Sequence, residues 1–275
     1  MSRGDTRFVR PAVPHENEQT MTTSLDSQRP DAPNSYTAWR NARLTGVVSA
    51  TGNLALVETR WLPAAADPAE EFARATAEAP ATVTVTALTR GNLDTGEPEH
   101  GLRFWDSASP AIRAFDTVSA FDYDPDWVIE AQFTPVSGDR TIPFEHIRDN
   151  GGSRELVVPG DITFSRDGVD YSLSAFDDDG TLLLVFGDAT NRLDGDTGTY
   201  SSGRFLFVQR SADQSTGFGD AGPVTLDFNR AFVPPCGFSV QYNCPMPPAQ
   251  NRFAGSVEAG ERNVEFSGGF DIYTL

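Results

Sequence analysis

The chain has 275 residues, of which 39% are hydrophobic and 11% aromatic. That is enough apolar material for one large β domain or two small ones. Its 39 acidic and 21 basic residues give a net charge of −18, and every basic residue is Arg. Arg-only usage fits either a GC-rich genome or adaptation to high salt. An acidic field with scattered cations repels nucleic acid and anionic membrane surfaces, so neither is expected as a partner. No apolar run approaches the length of a membrane span, and the N-terminus lacks an apolar signal core. A cytoplasmic location with reduced thiols is the expectation.

Residues 1–34 are polar, Pro-rich and without periodicity, and read as a disordered tail in which Met21 could be the natural start. Residues 35–275 read as a single β-rich domain. Ser35–Arg43 suits a short helix capped by Ser35 and carrying Trp39 on its apolar side. A second helix starts at the cap Asp67, with Pro68 at its first position and Glu70 three residues after the cap, and runs to about Ala77. Period two then takes over at Thr82–Thr86 and again at Val128–Phe133. Ile162–Ser165 and Val169–Phe176 flank an Arg166-Asp167-Gly168 turn, and Asp177–Gly180 leads into Thr181–Phe186. Further strands are expected at Arg204–Gln209, Val224–Phe228 and Asn263–Leu275. The fold class is therefore all-β, an antiparallel sandwich or partly open barrel with one or two short N-terminal helices.

The C-terminal third carries a distinctive order of residues: Leu226-Asp227-Phe228-Asn229-Arg230-Ala231-Phe232, Pro234-Pro235-Cys236, Cys244-Pro245-Met246-Pro247-Pro248, Asn251-Arg252 and Ala259-Gly260-Glu261. With Gly101–Asp106, Gly187–Thr190 and Tyr200–Phe205 upstream, it resembles the bacterial DUF1684 family of unknown function, over roughly Trp39 to Glu261. Two departures stand out. Gln250 occupies a position where the resemblance implies Glu, and Arg192–Thr199 looks like an insertion that displaces an acidic residue.

Several groups could carry chemistry. Cys236 and Cys244, bracketed by prolines, read first as structural thiols or as a disulfide closing a short loop worth roughly 2.5 kcal/mol. A redox or nucleophilic Cys and a metal ligand are the alternatives; with few His available, no metal site is expected. Arg204, Asp227, Asn229, Asn251 and Glu261 form a second set. Arg204 offers a fork of donors to an anion, and Asp227 or Glu261 could act as general base. The competing reading has Asp227 and Asn229 cap a bend and makes Arg204 the buried counter-ion of Asp227 or Glu261. Asp194-x-Asp196 is only a fragment of a calcium loop, and hydrolase and phosphate-loop motifs are absent. The expectation is a domain that binds a small anionic ligand through Arg103, Arg204, Asn229 and Asn251, in a cleft lined by Trp105, Phe205 and Phe228. It needs no cofactor, and its oligomeric state is open. The alternative is a metal-independent hydrolase or other enzyme.

Overall fold

The computed structural model describes residues 32–136, 138, 140–211 and 217–274. The expected tail lies outside them except for its last three residues, and Met21 lies outside too. In chain order the elements are α1 (Ala32–Val47), β1 (Leu56–Trp61), α2 (Pro68–Glu78), β2 (Val83–Gly91), β3 (Pro98–Asp106) and the short α3 (Pro110–Ala114). Strands dominate from there: β4 (Phe115–Ala120), β5 (Val128–Pro135), β6 (Thr141–Glu145), β7 (Ser153–Val157), β8 (Gly160–Arg166), β9 (Val169–Asp178) and β10 (Thr181–Phe186). The last are β11 (Arg204–Phe207), β12 (Gln209–Arg210), β13 (Gly222–Asp227) and β14 (Glu261–Phe266).

The largest sheet is antiparallel, in the order β11-β10-β9-β8-β5-β13-β12. Only Val208 separates β11 from β12, yet these two strands stand at opposite ends of that order. The sheet therefore curls into a nearly closed barrel, which decides between the two expected architectures. Two-residue turns supply the tight hairpins: Asp167 and Gly168 have φ of 54° and 77°, and Asp179 and Gly180 have 54° and 86°. Left-handed backbone at both central positions matches the twist of the flanking strands, and Asp-Gly tolerates it.

Phe133, Ile162, Leu173, Leu184, Phe186 and Leu226 fill the barrel. On the outer side of the same strands, Phe176, Leu183, Val185 and Phe205 lie under Phe144, Tyr242 and both cysteines. Strand β10 is thus buried on both faces, so Leu182–Phe186 is apolar without interruption. Trp105, Phe205 and Phe228 are at most 3% exposed and belong to the core, where an aromatic-lined cleft was expected.

A smaller sheet, β1-β3-β2, sits beside the barrel. Asp67 caps α2 through the backbone N–H groups of Ala69 and Glu70, as the sequence predicts. That helix covers one face of the small sheet over Val85 and Leu102. Pairings of Thr59 with Arg103, of Trp61 and Leu88 with Gly101, and of Arg90 with Glu99 place the alternate side chains on the opposite face. Three elements differ from expectation: the strand expected at Arg204–Gln209 divides at Val208 into β11 and β12, and two others change extent. Helix α1 extends beyond Ser35–Arg43 at both ends. The last strand runs Glu261–Phe266 and stops short of Leu275, because Gly268 and Gly269 take left-handed φ of 66° and 70°.

Candidate functional site

Most of the polar residues singled out in the sequence are enclosed. Arg204 is 0% exposed. One terminal nitrogen donates to the Asp188 carboxylate at 2.8 Å and to the Val257 carbonyl at 2.7 Å. The other donates to the carbonyls of Ala259 at 2.5 Å and Glu261 at 3.3 Å. Its carboxylate partner is therefore Asp188, rather than Asp227 or the side chain of Glu261. Burial lowers the guanidinium pKa, and the Asp188 and Glu261 charges oppose that.

The Glu261 carboxylate, also 0% exposed, holds α1. It accepts from Arg40 at 3.1 Å, from Arg43 at 3.2 Å and from the Val233 N–H at 2.9 Å. Asp227 accepts from the Asn229 N–H and side-chain amide and faces Arg230 at 3.1 Å. Asn229 in turn clasps Asp124, receiving its N–H and donating to its carbonyl. Asn251 takes the Ser174 N–H and donates to the carbonyls of Ser174 and Val185. These carbonyls lie just beyond Ala175↔Leu184, the last pair of the β9–β10 ladder. The primary amide spans the strands where their own pairing ends. The structure thus joins Arg204 to Glu261 and Asp227 to Asn229, but turns each inward.

Arg103 has a different setting. Itself only 8% exposed, it lies on the face of the small sheet opposite α2 and lines a cavity of about 350 Å³. Thr59, Trp61, Leu88 and Arg90 share this floor. Gly101 lets it close, since a Cβ there would stand 2.9 Å from the Trp61 ring and 3.0 Å from Leu88. The wall is Val240, Gln241 and Asn243, from the segment between the two cysteines, and Arg148 and Arg154 complete the lining. Four of ten lining residues are Arg in a chain that has 21 Arg in 275 residues, so the cavity reverses the sign of an acidic molecule.

The polar groups here are oriented by neighbours. The outward N–H of Thr59, on edge strand β1, donates to Gln241 Oε1 at 2.9 Å, leaving Nε2 as the free end of that amide. The Arg148 N–H donates to Asn243 Oδ1 at 2.9 Å, and Asn243 Nδ2 donates to Asp149. Asp149 is also held by Arg154, and Glu99 by Arg90 and Asn92. Burial raises the Glu99 pKa, but the Arg90 and Asn92 hydrogen bonds outweigh it and lower the carboxyl below its ordinary value. The acceptors are therefore occupied. Arg90 donates from Nε to Glu99 with its guanidinium 3.8 Å from the Trp61 ring centre, and Arg148 donates from Nε to the Tyr242 carbonyl. The terminal nitrogens of both make no hydrogen bond to the described residues. Arg103 packs over Tyr242 and Trp105, at 5.4 and 5.9 Å from their ring centres.

Sequence reasoning reached Arg103 and missed Arg90, Arg148, Arg154, Gln241 and Asn243. These lie on two strands and two loops far apart in the chain, and the only local signal is strand alternation, which puts Leu88 with Arg90 and Gly101 with Arg103 on one sheet face. Cys236 and Cys244 are buried directly behind the wall as free thiols, with the Cys236 N–H 3.2 Å from Cys244 Sγ.

The fold and the cavity define a mostly antiparallel β-barrel with an appended sheet, and a donor-lined pocket between that sheet and the Cys236–Cys244 segment. The chain belongs to the DUF1684 family, described as a protein of unknown function, whose model matches residues 113–262. The small sheet, and with it the Gly101–Asp106 block, precedes that match. The chain is also similar to the uncharacterized protein from gene locus rrnAC0354 of Haloarcula marismortui, a solution NMR structure. That similarity is 32% identity over 54% of this chain and 77% of that one, with a TM-score of 0.43. No curated protein matches. Among the described residues, no helix is long and apolar enough to cross a membrane.

Proposed function

We propose that the protein binds a small anionic ligand in the cavity between the β1-β3-β2 sheet and the Cys236–Cys244 segment. One observation carries this reading: the cavity offers donors while its acceptors are engaged. Amide oxygens of Gln241 and Asn243 are taken by fixed backbone N–H groups, and Glu99 and Asp149 by arginines. The terminal nitrogens of Arg90 and Arg148 and the Nε2 of Gln241 are what an incoming molecule meets. Planar guanidinium forks suit carboxylate and phosphate oxygens. Leu88, Trp61 and Val240 supply apolar surface for a short carbon body, and about 350 Å³ falls in the range of small-molecule sites.

Arg103 is the member of the sequence-predicted set that takes part. Arg204, Asn229 and Asn251 support the fold that carries the cavity. The alternative reading, catalysis by Asp227 or Glu261, would need a carboxylate open to substrate, and both have their oxygens engaged by Asn229, Arg230, Arg40 and Arg43.

Calorimetric titration at low ionic strength tests the proposal with inorganic phosphate and succinate against a neutral sugar of similar size. Micromolar to millimolar binding of the anions alone is expected. The pair Arg90→Gln and Arg148→Gln should weaken it at least about tenfold, the scale of one charge-assisted contact, with the melting temperature retained. Equal binding of the sugar, or undiminished anion binding by the double variant, would sink the idea.

A further inference from the structure

Segment Cys236–Cys244 does two things at once. Between its cysteines it provides Val240, Gln241 and Asn243, the wall of the cavity. At its ends the two thiols meet in the core, 5% and 2% exposed. The segment is anchored on both sides. The Ser239 hydroxyl donates to the Leu56 carbonyl at 2.7 Å, and Met246 and Ile147 exchange backbone hydrogen bonds with Glu145 and Cys244. Pro234, Pro235 and Pro245 stiffen the approaches. Neither anchoring nor packing needs a reactive sulfur, yet the two sulfurs are neighbours.

We infer that Cys236 and Cys244 form a reversible dithiol–disulfide pair, oxidised by hydrogen peroxide, whose disulfide form strengthens anion binding in the cavity. The inference of tighter binding rests on the cavity reading above; the redox pair stands on the thiol geometry.

The chemistry divides between unlike sulfurs. Burial pushes the Cys236 thiol up, but hydrogen bonds from Cys244 and Tyr200, its own backbone and the Arg148 charge outweigh it and hold its pKa below the ordinary value. Burial first, and then the neighbouring Cys236, push Cys244 well above it. Cys236 is the nucleophile: its thiolate attacks one peroxide oxygen, the O–O bond breaks, and Cys236 becomes a sulfenic acid as the other oxygen leaves, protonated, as water. Cys244 then attacks that sulfur. The S–S bond forms, the S–O bond breaks, and the Cys244 proton leaves with the hydroxyl as a second water. Two thiols have lost two electrons and the peroxide has gained them. Tyr200, partly buried, packs against the core cluster that contains Cys236.

Oxidation acts on the cavity in one direction. Cross-linking residues 236 and 244 stiffens the segment that presents Gln241 and Asn243, which lowers the ordering cost of binding. By linkage, a bound anion favours the disulfide to the same extent.

The test uses the full chain. Brief exposure to hydrogen peroxide, followed by mass spectrometry of unreduced peptides, should find Cys236 linked to Cys244 with two hydrogens lost, restored by dithiothreitol. Cys244→Ser should stop at a Cys236 sulfenic acid that dimedone traps, with the fold checked by circular dichroism. Inorganic phosphate should bind the oxidised chain about fivefold more tightly, the low end of common coupling strengths. Intact thiols, or a sulfinic acid on Cys236 in place of the cross-link, would overturn the redox pair. A cross-linked chain with unchanged phosphate affinity would overturn the coupling. Phosphate binding to neither form, with the cross-link present, would remove the cavity reading instead.

Discussion

Replacing Arg204 by Ala tests whether its buried guanidinium holds the fold. The change strips Asp188 Oδ2 of its Arg204 partner, because the hydrogen bonds from Thr190 and Val257 all fall on Oδ1. It also removes the donors to the carbonyls of Val257, Ala259 and Glu261. Removing one partner of a buried pair costs about 3–5 kcal/mol, since the other charge stays desolvated. Retained bonds on Oδ1 keep the loss to the middle of that range, about 4 kcal/mol. For a domain of this size each kcal/mol moves the melting point by about 3 °C, so a fall of about 12 °C is expected. Differential scanning calorimetry reads it directly, and a shift below about 3 °C would refute the reasoning. The double change Arg204→Met with Asp188→Asn should recover part of the loss, because no unpaired charge remains.

Three further outcomes follow from the same geometry. Glu261→Gln should destabilise the chain by about 3 kcal/mol and speed proteolytic cleavage within α1, because Arg40 and Arg43 lose their shared anion. Gly260→Ala should lower stability by about 2 kcal/mol or more in urea titration: φ is +80°, and a Cβ would lie 2.6 Å from the carbonyl oxygens of Phe228 and Ala231. His146 should add acid lability. Burial lowers its pKa, although its Nδ1 contact with the Phe144 carbonyl pulls the other way. Above about pH 6.5, the unfolded value, both states are neutral. As the pH falls below that, the unfolded chain takes up a proton that the native state resists, and stability is lost. His146→Gln should flatten the dependence of the urea midpoint between pH 7 and pH 5, relative to the unsubstituted chain.

How much of this was legible depended on whether the signal was local. The Asp-Gly hairpins and the Asp67–Pro68 helix start are local instructions, and the structure follows them. The apolar run Leu182–Phe186 marked a strand because both its faces are covered. Strands β6 and β7 gave no such signal: Thr141, Pro143, Ser153 and Glu155 face solvent, and the hairpin turns through seven residues. The polar motif residues allowed both a binding site and a structural role, and Asp227 does cap the turn at Phe228–Arg230. Asn251 bridging diverging strands and Glu261 tethering α1 use the same residue types as a binding site would. Hydrogen-bonding capacity is visible in sequence; whether the fold consumes it is not. The cavity arginines were the hardest to see, because Arg90, Arg103, Arg148 and Arg154 meet only after two sheets and a loop have packed.

Selenate supplies the most direct measurement of the central claim, because its selenium scatters anomalously and its oxygens mimic phosphate. In crystals soaked with it, the account predicts an anomalous peak inside the cavity, within hydrogen-bonding reach of the terminal nitrogens of Arg90 and Arg148. A saturated crystal with no peak there, while the cavity is open to solvent, would contradict it.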